Sequence, residues 1–268
     1  MELRYCALQA LQAKETSTKV SLVSSLWSAR DSLEINTDQV LEPKTQSIPG
    51  RPDLPELINA RHMPKRSAFN SDGLAALVHA VCHIEFNAIN LALDALWRYS
   101  GMPNAYYTEW LQVAFEESTH FELLRRFLES MNYSYGDFKA HDGLWDMCTK
   151  TSNDVTARMA LVPRTLEARG LDATPIIQKK LKSAGTPLAV EAIRILDIIL
   201  RDEVGHVAIG NHWFNWLCNQ QGLDPFTHYN YLAIKHNAPK LRAPFNFEAR
   251  RRAGFTDQEL SALQAQPT

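Results

Sequence analysis

Residues 201–212 read RDEVGHVAIGNH, and they follow an apolar run, TPLAVEAIRILDIIL, at 186–200. In that run Ala189, Ala192, Leu196 and Ile199 recur at helical spacing. Continuing the same count lands on Glu203, His206, Gly210, Trp213 and Leu217. An acid and an imidazole therefore stand on the face that the helix buries. A charge taken out of water without compensation is strongly unfavourable. Either a salt bridge or a metal ion must compensate this pair.

A second stretch repeats the pattern. EESTH at 116–120 matches DEVGH at 202–206, each an acid followed by Glu-x-x-His. Residues three apart on a helix project to the same side, so each Glu and His can converge on one ion. Trp110, Val113, Glu117, His120, Leu124 and Phe127 share one face of the helix expected over about 103–131. A helix expected over about 71–99, capped from FNSDGL, carries Leu74, Val78, Val81, Glu85, Ala88, Ala92 and Leu96 on its stripe. Glu85 precedes Glu117 by thirty-two residues, and Glu167 precedes Glu203 by thirty-six. The order is thus duplicated: Glu, Glu-x-x-His, a long crossover, Glu, Glu-x-x-His. Four carboxylates and two imidazoles suit a pair of divalent iron or manganese ions, because carboxylates bridge two cations and neutralise them. The rival account is a buried ion-pair network using Arg125, Arg164 or Arg201, which carries a larger desolvation penalty. Glu116 and Asp202 are alternative ligands one position away, but the stripe favours Glu117 and Glu203. His79, His83 and His141 read as hydrogen-bonded polar residues, not ligands.

The surrounding chain is all-α. The segment SNDVTARMALVPRTLEARG supplies a third long helix, expected to end at Gly170, and a fourth is expected over about 187–219. Pro163, four residues before Glu167, should remove a backbone hydrogen bond and bend the third helix, or else the helix begins later. Two short amphipathic stretches precede the four, ELRYCALQALQ and KVSLVSSLWSAR. Between 42 and 66 five prolines exclude a long helix and imply an extended arm, with Leu54, Leu57, Ile58 and Met63 available for burial. After residue 222 the text returns to loop chemistry, then offers a short helix from Thr256 with Glu259 three residues on, a capping-box pattern. The expected organisation is an extension over 1–70 packed on a bundle, the bundle over 71–220, and a second extension over 221–268.

Composition narrows the class of activity. With 268 residues, 45% hydrophobic and 22% charged, the chain can bury a sizeable core. A formal net charge of −2 gives no general reason for binding nucleic acid or an anionic membrane. Lys235, Lys240, Arg242, Arg250, Arg251 and Arg252 form a local basic cluster, read as a solvated face. Cys6, Cys82, Cys148 and Cys218 are dispersed, as expected of buried thiols in a reducing compartment. An acid at position two and no uninterrupted apolar run near ~18 residues argue against a secretory signal or a membrane span. The expected location is cytoplasmic.

On Glu85, Glu117-x-x-His120, Glu167 and Glu203-x-x-His206, the sequence resembles the ferritin-like superfamily of diiron carboxylate proteins over roughly 71–220. PGRP at 49–52, HIEFNAINLALDALWR at 83–98, RDEVGHVAIGNHWF at 201–214 and PFNFEARRRAGF at 244–255 resemble, more closely, the bacterial ferritin-like family known as domain of unknown function 455. The resemblance implies a four-helix bundle with a long crossover and two iron ions, or manganese. Glu117 and Glu203 would bridge, Glu85 and Glu167 would be terminal, and His120 and His206 would each bind one metal. Glu116 is expected to accept from the free ring nitrogen of His206, and Asp202 from that of His120, unless both acids pair with arginines such as Arg125 or Arg201. No catalytic residue beyond the ligands is expected. The implied chemistry is dioxygen activation for oxidising or hydroxylating a small organic substrate, with an electron donor the sequence leaves unspecified. Ferroxidase or iron-storage activity and a metal-stabilised binding module are the alternatives. A resemblance to diiron tRNA hydroxylases keeps a modified nucleoside among the substrates, with the basic tail as its local support.

Overall fold

The computed structural model describes residues 1–43, 48–64 and 70–265, and every regular element among them is helical. The β-pairing among these residues consists of isolated bridges, Glu2 with Glu34 and Leu57 with Ala140. The chain divides into two compact units, Met1–Trp145 and Asp146–Thr268.

The first unit is organised by a helix that begins where the sequence offers a cap. The Asn70 side chain accepts from the Gly73 N–H and opens α3, Ser71–Arg98. A short turn through Gly101 leads into α4, Asn104–Ser130, so the two long helices are antiparallel neighbours. Their stripes pack as the periodicity requires, with Leu74, Val78, Trp110, Val113, Leu124 and Phe127 buried. Helices α1, Leu3–Gln12, and α2, Thr16–Ala29, pack on α3 and α4 respectively. Arg4 of α1 is fully buried and fastens the following loop, donating to the carbonyls of Asn36 and Gln39 at 2.7 Å and of Trp97 at 2.8 Å.

Two expectations about this unit need refinement. By length and composition α3 could cross a membrane, because its apolar residues dilute His79, His83, Glu85, Asn87, Asn90 and Asp94 without forming an uninterrupted run. Most of its apolar window is buried inside the protein, as in a core helix. In the proline-rich arm, Leu54 and Leu57 are exposed while Ile58 and Met63 are only half-buried. Polar contacts fasten it instead: Ile58 N–H donates to Ala140 O at 2.8 Å, and Arg51 pairs bidentately with Asp142, Nη2 to Oδ1 at 2.7 Å. Parts of the arm at 44–47 and 65–66, with the rest of 65–69 and residues 266–268, lie outside the described residues.

A helix over Gly143–Lys150, α5, contains the boundary between the units. In the second unit Asp154 caps α6, Val155–Leu161, accepting from the Ala157 N–H at 2.9 Å. Pro163 then neither ends the helix nor simply kinks it. The chain widens into a π-helical turn over Val162–Glu167 and continues as α7, Ala168–Ala184. Proline has no N–H for the preceding turn and its ring crowds the carbonyl four residues back, so a wider turn accommodates it. The Thr165 hydroxyl donates to Ala160 O at 2.8 Å within that turn. Gly170 does not terminate the helix. It lies inside α7, and termination waits for Gly185, whose φ of +64° is the left-handed conformation that glycine adopts without strain.

Thr186 and Pro187 open α8, Pro187–Gln220, with the Thr186 hydroxyl accepting from the Ala189 N–H. The tail is more helical than its loop-like text suggests. Asp224 caps α9, Pro225–Lys235, and Asn246 caps α10, Phe247–Arg252. The final helix α11, Asp257–Gln264, starts with the capping box expected at Thr256 and Glu259. Ala168, Leu171, Val204, Val207, Ala249, Phe255, Leu260 and Leu263 form one apolar cluster that joins α7, α8, α10 and α11. Arg250 leaves the basic face assigned to it. It is fully buried and bonded to Asp172, Nη2 to Oδ2 at 2.6 Å, because α10 turns the side bearing Ala249, Arg250 and Ala253 inward against that cluster. Lys235, Lys240, Arg242, Arg251 and Arg252 remain exposed.

Candidate metal centre

Each unit carries one copy of the duplicated acid–histidine pattern on its buried helices. In the first, Glu85 of α3 is 3% exposed, and Glu117 and His120 of α4 are both 0% exposed. Burial separates Glu117 from its neighbour Glu116, which is half-buried and accepts from the Gln112 side chain at 2.9 Å. The Nδ1 atom of His120 lies 3.3 Å from an oxygen of Glu85 and 3.3 Å from an oxygen of Glu117. One donor atom from each of these three residues lies within 4.8 Å of the others. Ligands on opposite sides of one ion, at bond lengths of about 2.0–2.2 Å, stand roughly 4 Å apart, so a small rotamer adjustment closes this set on a cation. Two carboxylates and an imidazole suit a divalent transition metal.

An aromatic wall adjoins this group. Phe86 and Phe121, chain neighbours of Glu85 and His120, meet at a tilt with ring centres 5.4 Å apart, and the Tyr135 ring meets them at 5.7 and 5.1 Å. The Tyr135 hydroxyl pairs with His83 Nδ1 at 2.8 Å, while His83 Nε2 meets the Asn87 amide at 3.0 Å. Burial, reinforced by His79 and Arg51, depresses His83 to about 3, so this imidazole is neutral near pH 7. His79 accepts from the Gly136 N–H at 3.0 Å, and His141 Nδ1 accepts from the Gly143 N–H at 3.3 Å. These three histidines thus have the hydrogen bonds expected of non-ligand residues. Tyr135 sits in a loop, where no periodicity marks it, and its role became visible only through packing.

In the second unit Glu203 is 6% and His206 0% exposed on α8, with His206 Nδ1 3.8 Å from Glu203 Oε1. Glu167, 8% exposed, closes the π-helical turn. Among the described residues these three form no three-donor group of their own. Asp202 is half-buried and accepts from Arg201 Nε at 2.8 Å. The cations of the rival ion-pair network are engaged with other acids: Arg125 with Glu122 at 2.8 Å and with Glu129, Arg164 with Glu259, and Arg201 with Asp202.

A family model described as protein of unknown function (DUF455) matches residues 12–261. The chain belongs to this family. A relative from Haemophilus influenzae, bearing the name uncharacterized protein, is 48% identical over 221 residues, covering 80% of this chain and 76% of its own. No solved structure matches the chain. All six acid and imidazole positions discussed above fall within the matched span of this DUF455 member. So do three of its four thiols, Cys82, Cys148 and Cys218, which are buried; Cys6 precedes the span and is half-buried.

Proposed function

We propose that this DUF455 protein is a dinuclear nonhaem metal oxidoreductase, with two iron ions as the resident metals and manganese as the alternative, acting with dioxygen on a small organic substrate. The observation that carries the reading is the buried Glu85, Glu117 and His120 group, whose donors stand within 4.8 Å. The second copy of the pattern, Glu167, Glu203 and His206, supplies the remaining ligands. In the proposed arrangement α3, α4, the α6–α7 segment and α8 form a ferritin-like four-helix bundle over 71–220, with the long crossover between its halves. Residues 1–70 and 221–268 are its extensions. Glu85, Glu117, Glu167 and Glu203 would hold the two ions through their carboxylates, with Glu117 and Glu203 shared between them, and His120 and His206 would each supply a ring nitrogen.

When bound, a reduced metal pair supplies the electrons with which dioxygen is activated. The protein's own contribution is to hold six donors in a low-dielectric site and to keep water from it, a task for Phe86, Phe121 and Tyr135. Asp202 and Glu116 are placed one position before a ligand glutamate, where a carboxylate can orient the histidine of the facing helix. We assign the protein to the cytoplasm, where its thiols stay reduced.

The test begins with anaerobic purification and loading with ferrous ion. Two irons per chain are expected, followed by a change in visible absorbance on admitting oxygen. Glu203→Ala and His120→Ala should each lower the stoichiometry towards one or none. Accumulation of many irons per chain would instead indicate storage. Parent protein that retains no iron after gel filtration sinks the proposal.

A further inference from the structure

The π-helical turn that ends at Glu167 is gripped from several sides by residues no ligand count requires. Pro163 packs so tightly on α8 that a Cβ at Gly210 would stand 2.5 Å from the proline Cβ. Arg164 is 3% exposed, and its guanidinium lies 4.9 Å from the Phe214 ring centre, 5.0 Å from that of Tyr229 and 5.0 Å from that of Phe255. Its charge is met by Glu259 of α11. Thr165 shares a hydrogen bond with the Tyr229 hydroxyl at 3.0 Å. Just beyond the turn, Arg250 donates to Ala168 O at 3.2 Å and pairs with Asp172. Glu259 has two tasks: one oxygen accepts from the Thr256 N–H at 2.8 Å to cap α11, and the other takes Arg164.

A π turn contains one residue more than the α turn it replaces, and one residue is about 100° of rotation. Relaxation of 162–167 to α geometry would therefore swing Glu167 off the face on which it is buried. We infer that Glu259, acting through Arg164, is a positioning residue that keeps the turn π-helical and so directs Glu167 towards a metal. This rests on the dinuclear reading above. The C-terminal helix is then part of the metal site's construction, although none of its residues is a ligand.

The experiment titrates chelator-stripped full-length protein with Mn(II) alone, following bound and free ion by electron paramagnetic resonance. The parent should show two sites. Glu259→Gln should keep one at parental affinity and weaken the other ~10–100-fold, the effect typical of losing a ligand's support. Glu259→Asp should restore part of that loss. Because a stranded buried guanidinium could unfold the single variant, Arg164→Gln with Glu259→Gln removes both charges together. The pair should give the same one-site loss with a helical circular dichroism spectrum like the parent's. Two sites of parental affinity in these variants, or equal weakening of both, overturns the inference and leaves the dinuclear reading standing. A parent with fewer than two sites removes both.

Discussion

Lys19 of α2 is fully buried, its Nζ donating to Leu11 O at 2.8 Å and to Asn90 Oδ1 at 2.6 Å. Burial, with a smaller push from the Arg51 charge, lowers its pKa from 10.5 to about 7. The unfolded chain therefore holds this proton across a window where the folded chain does not. Stability from this group rises with pH between about 7 and 10.5, and falls as pH drops through that window. Urea denaturation of the parent and of Lys19→Met at several pH values should show the difference between them changing by about 1.4 kcal/mol per pH unit, in the parent's favour as pH rises. Parallel pH profiles would contradict a neutral buried lysine. Single residues also show what a stripe can resolve. Glu117 and Glu203 were distinguishable from Glu116 and Asp202 because helical spacing puts only the former on the apolar face. Arg250 was misread because a run of three arginines hides which one turns inward.

At the scale of one element, α8 carries two glycines in opposite settings. Gly210 faces Pro163 of the π turn at a distance that excludes a methyl group, whereas Gly205 is exposed with nothing near a prospective Cβ. Gly210→Ala should destabilise the protein by about 1–3 kcal/mol through overpacking. Gly205→Ala should stabilise it by roughly 0.5–1 kcal/mol, since alanine loses less backbone entropy in a helix. Thermal melts of the two variants beside the parent test the pair, and equal shifts would show that the proline contact is not tight. The limits of α3, α4 and α8 were legible because each carries a sustained stripe, and Asn70 and Thr186 cap the starts of α3 and α8. Those of the third long helix were not. Gly170 has the composition of a stop signal, yet the chain around it keeps helical torsions because the contacts of Asp172 with Arg250 and Asn246 hold it there.

For the whole molecule, carboxylates gathered in apolar surroundings repel one another until a cation neutralises them. Metal that binds the folded chain and not the unfolded one stabilises it by linkage, about 2.7 kcal/mol at a free concentration of 100 Kd. Calorimetry of chelator-treated protein should therefore show a rise in melting temperature of several degrees on adding Mn(II). Glu85→Ala should melt no lower than the parent without metal and lose most of the increment with it. Indistinguishable melts with and without metal would remove the site.

The sequence by itself determined the helical class, the positions of α3, α4 and α8, and the burial of six acid and imidazole side chains, because those depend on a period that any helix must obey. It also determined that these side chains come in two matched sets, each a Glu followed by Glu-x-x-His. Only the tertiary structure decided that Glu85, Glu117 and His120 share one small volume, that Tyr135 walls it, and that Glu259 grips the turn carrying Glu167. Those facts join residues distant in the chain through packing. The same holds for the π turn: Pro163 announced a disturbance, but whether it became a kink, a break or a widened turn depended on the glycine, the aromatic rings and the carboxylate packed against it.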